Sequence, residues 1–116
     1  MSAETAAVLE EAANVIRRNG LHQGSFCDDG PLRKTDDPLD FACCTYGAIN
    51  LAANHEHPRR TSDRSEAAYG ALVRHLGISD ELGNTVADWN DAPDRTPEQV
   101  IAALEAAARA EREATS

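Results

Sequence analysis

The stretch over residues 89–104 constrains most narrowly how this chain can fold. It holds the chain's only tryptophan, followed at once by an Asn-Asp pair and then by a clear helix start. Thr96 can serve as N-cap, Pro97 fits the first helical position, and Gln99 completes a T-x-x-Q capping box. Because an indole ring needs both burial and a partner for its N–H group, we expect Trp89 to pack into the core.

The composition favours an all-α fold of four to five helices. Alanine supplies much of the 41% hydrophobic content, whereas aromatic residues make up only 4%. Small side chains let helices approach closely, and a β-sandwich would need more β-branched and aromatic residues. A chain of 116 residues has room for one self-sufficient core. We therefore predict a single helical domain over residues 1–116, with residues 110–116 as a frayed polar tail.

Two further helices have clear ends in the sequence. The first is predicted over residues 3–19, where apolar residues recur at helical spacing and Gly20 follows. The third is predicted over residues 62–76 and is followed by Gly77. Each glycine would adopt a left-handed conformation and end its helix, with the next apolar residue packing back on the last turn.

A second helix is predicted over residues 38–54. Asp37 is a good N-cap, and Pro38 occupies the first helical position, where its missing N–H group costs nothing. Gly47, inside this helix, costs about 1 kcal/mol relative to Ala. We expect the close approach of a neighbouring helix, or of the Trp89 ring, to require this glycine.

Residues 20–37 lack helical periodicity and contain a D-D-G-P turn signal. The segment is predicted to form an irregular loop or a short β-hairpin around residues 28–31. Phe26 and Leu32 would anchor it to the core. Loops of this length in compact domains are often functional or mobile, so the segment is one candidate site.

A short helix is predicted to present Trp89 ahead of the last helix. Leu82, Val86 and Trp89 are spaced by four and three residues, as they would be on one helical face. We expect this region, with the caps and glycines above, to fix the fold. The fold-locking residues are Trp89, Asn90, Asp91, Thr96, Gly20, Gly47 and Gly77.

The polar residues beside Trp89 have two interpretations. In the structural one, an Asx-turn at Asn90 and Asp91 closes the loop, and Arg95 stacks on Trp89 or pairs with Asp91. In the functional one, they form an acidic surface that contacts another protein. The candidate partner-binding residues are Asp88, Trp89, Asp91, Asp94 and Arg95. The same carboxylates could bind a cation, but the register of a calcium loop is absent. The structural interpretation is preferred.

The chain is strongly acidic, with a formal net charge of −9. Residues 61–116 carry 11 acidic and five basic residues, a net −6, whereas residues 1–60 carry nine and six, a net −3. This balance argues against binding to nucleic acid or anionic membranes, which need a positive patch, and is compatible with a partner that has a basic surface. With no long apolar run and no basic leader, we expect a cytoplasmic protein.

Cysteine and histidine residues raise the question of metal or nucleophile chemistry. Cys43 and Cys44 are adjacent and would diverge on a helix, and the ligand spacing of a zinc site is missing, so no metal or cofactor is expected. Cys27 lies near His22, but the neighbouring carboxylates would raise the pKa of its thiol. An enzyme that uses Cys27 and His22 in the 20–37 loop is kept as the alternative function.

Four motifs occur together: W-N-D at residues 89–91, R-T at 95–96, C-C-x-x-G-A-I at 43–49 and H-Q-G at 22–24. In this combination the chain resembles a family of small uncharacterised proteins from actinobacteria and their phages. The resemblance covers most of the chain and implies one helical domain without an assigned activity or catalytic residue. His22 departs from the family's usual apolar or cysteine residue, which argues further against a metal site.

The sequence by itself does not define a biochemical activity. The leading hypothesis is a non-enzymatic protein that binds another protein through its acidic C-terminal half, as a phage or mobile-element accessory or inhibitor protein. The first alternative is a small-ligand or metal-dependent enzyme using the 20–37 loop. A second is a homodimer through the Ala-rich face of the last helix.

Overall fold

In the computed structural model, which describes residues 2–79 and 85–114, five α-helices carry most of the fold. They are α1 (Ser2–Asn19), α2 (Thr45–Asn54), α3 (Asp63–Leu76), α4 (Val86–Asn90) and α5 (Pro97–Ala114), with a 3-10 turn at Pro38–Asp40. The prediction of an all-α fold is confirmed. Of the residues proposed for the short helix, Leu82 lies outside the described residues.

Helix α1 is the centre of the bundle and contacts α5, α2 and α3. Its apolar face is buried, with Leu9 and Ile16 among the largest fully buried side chains. Two ion pairs join α1 to α5: Arg17 to Glu105 at 2.7 Å, and Arg112 to Glu10 at 2.6 Å. Because the partner numbers rise along α5 as they fall along α1, the two helices run antiparallel.

Helix α5 continues through the polar segment that was predicted to fray from residue 110. It reaches Ala114, and Arg112 in its last turn donates to the carboxylate of Glu10. The Ala-rich side of α5 is partly used inside the chain, since Ala107 and Ala108 are buried. Those two alanines therefore pack within the bundle and are not open to a second copy.

The predicted helix ends are confirmed where local capping defines them. Gly20 has φ +94° and donates its N–H to the Ile16 carbonyl at 2.9 Å. Gly77 has φ +67°, and both it and Ile78 donate to the Val73 carbonyl. At the start of α5 the Thr96 N–H donates to the side chain of Gln99, whose own N–H donates to Thr96 Oγ1.

The predicted second helix over residues 38–54 is wrong in its first half. After the 3-10 turn, residues 41–44 run extended, and α2 starts at Thr45 with Cys44 as N-cap. The extended stretch is hydrogen-bonded along both edges to the 20–28 segment. Cys43 donates to the Gly20 carbonyl at 3.4 Å and accepts from the His22 N–H at 2.8 Å. Helical hydrogen bonds cannot form while these backbone groups are used elsewhere.

The β-hairpin considered around residues 28–31 is not formed. Residues 28–31 contain no bridge, and the paired residue on that side is Cys27, opposite Cys43. Leu32, predicted to anchor the loop, is 95% exposed, whereas Phe26 is half-buried. Cys27 and Phe41 supply the buried contacts of this region instead.

Gly47 permits a close approach, but of a loop rather than of a helix or the Trp89 ring. A Cβ atom at Gly47 would lie 2.3 Å from the carbonyl oxygen of Phe26. That carbonyl accepts a hydrogen bond from the Cys44 N–H at 3.0 Å. The glycine therefore brings the 20–28 segment directly onto the first turn of α2.

Substitution of two helical glycines by Ala should give opposite results. Gly47→Ala is expected to destabilise the fold by about 1–3 kcal/mol, because the backbone of Phe26 would have to move. Gly70→Ala in α3 is the matched control, since its Cβ would meet only the Arg74 side chain at 3.5 Å. It should stabilise by up to about 1 kcal/mol through helix propensity. Urea unfolding followed by circular dichroism measures both, and equal effects would contradict the close approach.

Candidate functional site

A groove of about 240 Å³ lies where the 20–28 segment, the start of α2 and helix α4 meet. The wall from the loop is residues 24–26, and α4 supplies the opposite wall. Most of the surface is apolar side chain, and one amide and one carboxylate are also part of the lining. The lining residues are Gly24, Ser25, Phe26, Cys44, Tyr46, Val86, Ala87, Asn90 and Asp91.

Asn90 holds the three parts of this groove together. Its side chain is 1% exposed, and its Oδ1 accepts from Thr45 N at 2.8 Å and from Thr45 Oγ1 at 2.6 Å. Its Nδ2 donates to the His22 carbonyl at 3.1 Å and to Asp91 Oδ1 at 2.9 Å. One amide thus caps the first turn of α2 and fixes the 20–28 segment against α4.

Asp91 and Gln23 add a second set of bonds between the loop and α4. Asp91 Oδ1 accepts from the Gly24 N–H at 3.1 Å. Gln23 Nε2 donates to the carbonyls of Asn90 at 2.9 Å and Ala92 at 3.0 Å. The H-Q-G and W-N-D motifs therefore contact each other directly. The local Asx-turn predicted at Asn90 and Asp91 is replaced by these long-range bonds.

Trp89 is half-buried at the edge of the core, so the prediction of a buried core ring is corrected. The guanidinium of Arg95 lies 4.3 Å from the ring centroid, and Arg95 Nε donates to the Trp89 carbonyl at 2.9 Å. The stacking alternative for Arg95 is confirmed. In this short helix it is Val86 and Asn90, four residues apart, that point inward and are buried.

The remaining acidic candidates lie on the outer side of this region. Asp88 is exposed and closes a capping box with Thr85, whose N–H donates to Asp88 Oδ2 at 3.1 Å. Asp94 is exposed in the turn between α4 and α5. Of the five predicted partner-binding residues, only Asp91 lines the groove, while Trp89 and Arg95 form their own stacked pair beside it.

Sequence reasoning missed the aromatic wall of the groove. The rings of Phe26 and Tyr46 lie 5.4 Å apart, and Tyr46 stacks at 4.3 Å on Tyr69 of α3. The Tyr46 hydroxyl donates to the carboxylate of Glu66. The signal available in the sequence was Tyr46 beside Gly47, an aromatic residue next to a glycine within a helix.

Burial raises the pKa values of all three cysteine thiols. Cys27 is buried, and burial together with the nearby Asp29 carboxylate raises the pKa of its thiol to about 11. Burial likewise raises the pKa of Cys43 to about 12 and raises that of Cys44. His22 Nε2 lies 2.9 Å from Ser25 Oγ, and it is this serine that the imidazole contacts.

In residues 2–79 and 85–114 no three His, Cys, Asp or Glu side chains gather in a way that could hold a metal ion. None of the helices described is both long and apolar enough to cross a membrane.

Comparison with known proteins places the chain in a family. The model of a family of unknown function, DUF6197, matches residues 1–110. The chain belongs to this family. No curated protein and no solved structure matches the DUF6197 chain. The family match spans the groove and all the residues that build it, but it carries no activity with it.

Of two neighbouring residues of α4, Asn90 should lose more folding stability than Trp89 when each is replaced by Ala. Asn90→Ala removes the partners of the buried Thr45 backbone N–H and of the part-buried His22 carbonyl, which should cost about 2–4 kcal/mol. Trp89→Ala removes a half-buried ring and should cost about 1–2 kcal/mol. Urea unfolding followed by circular dichroism gives both values. A larger cost for Trp89→Ala would mean that the ring, and not the amide, holds the region together.

Thiol labelling should report the burial of the cysteines. With iodoacetamide at pH 8 we expect Cys27 and Cys43 of the folded protein to react at least about tenfold more slowly than in urea, because the thiolate form is suppressed. The half-buried Cys44 should be modified first. Peptide mass spectrometry identifies the site. Rapid modification of Cys27 in the folded chain would revive the enzyme alternative.

Proposed function

We propose that this protein binds a basic segment of another protein by seating one apolar side chain of that partner in the groove. The observation that carries the proposal is the combination of an apolar, aromatic-walled groove with a carboxylate in its lining. Phe26, Tyr46 and Val86 supply apolar lining, and Asp91 is exposed beside them. An apolar anchor next to Lys or Arg would match both parts.

The size of the groove favours a side chain over a cofactor. Its volume of about 240 Å³ is below the roughly 300–1,000 Å³ of typical small-molecule sites. A buried aromatic or aliphatic anchor in such a pocket often supplies most of the affinity of a protein interface. The surrounding charge fits a basic partner, since the whole chain carries −9 and Asp88 is exposed next to groove residue Ala87.

The biological setting is also a proposal. The motif combination described above suggests an actinobacterial or actinophage protein of the cytoplasm, acting as an accessory or inhibitor factor of a phage or mobile element. The raised thiol pKa values favour binding over catalysis by Cys27. Basic partners would be attracted electrostatically, which raises association rates more than it raises affinity.

Blocking the groove tests the proposal. Ala87→Arg would fill the groove and offset the charge of Asp91, whereas Ala102→Arg places the same side chain on an exposed position of α5. We expect wild-type protein and Ala102→Arg to capture the same partner from a host lysate, with at least about tenfold less captured by Ala87→Arg. Capture should weaken as the salt concentration rises.

Three outcomes would contradict the proposal. These are capture that is equal for both arginine variants, capture that is insensitive to salt, and no partner retained by the wild type. Circular dichroism of the two variants must show the same helix content, so that lost capture reflects the groove and not the fold.

A further inference from the structure

Cys27 and Cys43 face each other across the extended backbone that the 20–28 segment forms with residues 41–44. They are the opposed residues of an isolated antiparallel bridge. The flanking bonds run from Asp28 N to the Ala42 carbonyl at 2.9 Å and from Cys44 N to the Phe26 carbonyl at 3.0 Å. This pattern defines a non-hydrogen-bonded pair.

That position has the spacing that a disulfide requires. In non-hydrogen-bonded antiparallel pairs the Cα atoms are about 4.5 Å apart and the side chains leave the same face. Disulfides span Cα separations of roughly 4.4–6.8 Å. Cys44, the next residue along the extended stretch, lines the groove instead. The three cysteines therefore divide into an opposed pair and a single thiol in the groove.

We propose that Cys27 and Cys43 are a dithiol that closes to an intramolecular disulfide when a low-molecular-weight disulfide is the oxidant. One thiolate attacks the oxidant and forms a mixed disulfide, releasing one small thiol. The second protein thiolate then attacks the protein sulfur of that bond and releases the other small thiol. The two protein thiols lose two electrons and two protons, and the oxidant becomes two thiols.

Each thiol now has its own hydrogen-bond partner. Cys43 Sγ donates to the Phe41 carbonyl at 3.1 Å, and the Cys27 thiol interacts with the Asp29 carboxylate. Both side chains must give up these contacts before the two sulfur atoms can bond. Both are also buried, at 1% and 0% exposure, and this makes attack on the folded protein slow. The bond should therefore form during folding or local opening of the 20–28 segment.

Closing the bond would fix one wall of the groove. The loop between the two cysteines contains 15 residues, and in the chain-entropy account such a link shifts the folding equilibrium by roughly a hundredfold. It would also hold residues 24–26 on the start of α2. The disulfide depends only on the backbone pairing, so this proposal does not depend on whether the groove binds a protein partner.

Refolding in a glutathione redox buffer tests the pairing. Reduced, unfolded full-length protein is diluted into buffer rich in glutathione disulfide, so that all three thiols are accessible while the chain folds. Wild type and Cys44→Ser should lose the mass of two hydrogen atoms and give a single linked Cys27–Cys43 peptide. In the Cys27→Ala and Cys43→Ala variants, the folded molecules should contain no intramolecular disulfide. The oxidised wild type should unfold at a higher urea concentration than the reduced wild type.

The alternative outcomes all overturn the proposal. A folded wild type that keeps three free thiols would show that the pair does not close. A dominant link through Cys44, or a persistent glutathione adduct in place of the internal bond, would show that the opposed pair is not preferred. If Cys43→Ala fails to fold, Cys27→Ala and the peptide map of the wild type still decide the question.

Discussion

The side-chain amide of Asn90 is the interaction on which the arrangement of α2, α4 and the 20–28 segment depends. It bonds Thr45 at the start of α2 and His22 in the loop after α1, and it is almost completely buried. Water cannot replace these bonds, so each lost bond leaves an unsatisfied buried group. The groove exists because this amide brings its three walls together.

The extended stretch over residues 41–44 is the second constraint. Its backbone is hydrogen-bonded on both edges by the 20–28 segment, and Gly47 lets that segment approach α2 without a side chain between them. The same pairing places Cys27 opposite Cys43. Groove wall, close backbone approach and opposed thiols are thus consequences of one local pairing rather than separate features.

Some charged side chains of the protein form ion pairs between helices, and others remain available on the surface. Several arginines form ion pairs between helices, such as Arg17 with Glu105 and Arg64 with Glu4. These pairs are partly exposed, so each contributes modestly to stability, but they orient the helices. With a net charge of −9, an excess of carboxylates is left for the surface. This excess is what gives a basic partner its electrostatic attraction.

The sequence alone determined the ends of α1 and α3 and the start of α5, because caps such as Thr96 and Gly77 work through bonds between residues a few positions apart. It also determined the all-α class, through the spacing and small size of the apolar residues. Only the tertiary structure decided that Asn90 is buried and Trp89 is not, and that residues 41–44 are extended. Asn90 depends on partners 45 and 68 positions away in the chain, and residues 41–44 depend on the backbone of the 20–28 segment. Local propensity contains no information on such distant backbone groups. Because buried polar groups must be hydrogen-bonded, the chain adopts the conformation in which these distant groups pair.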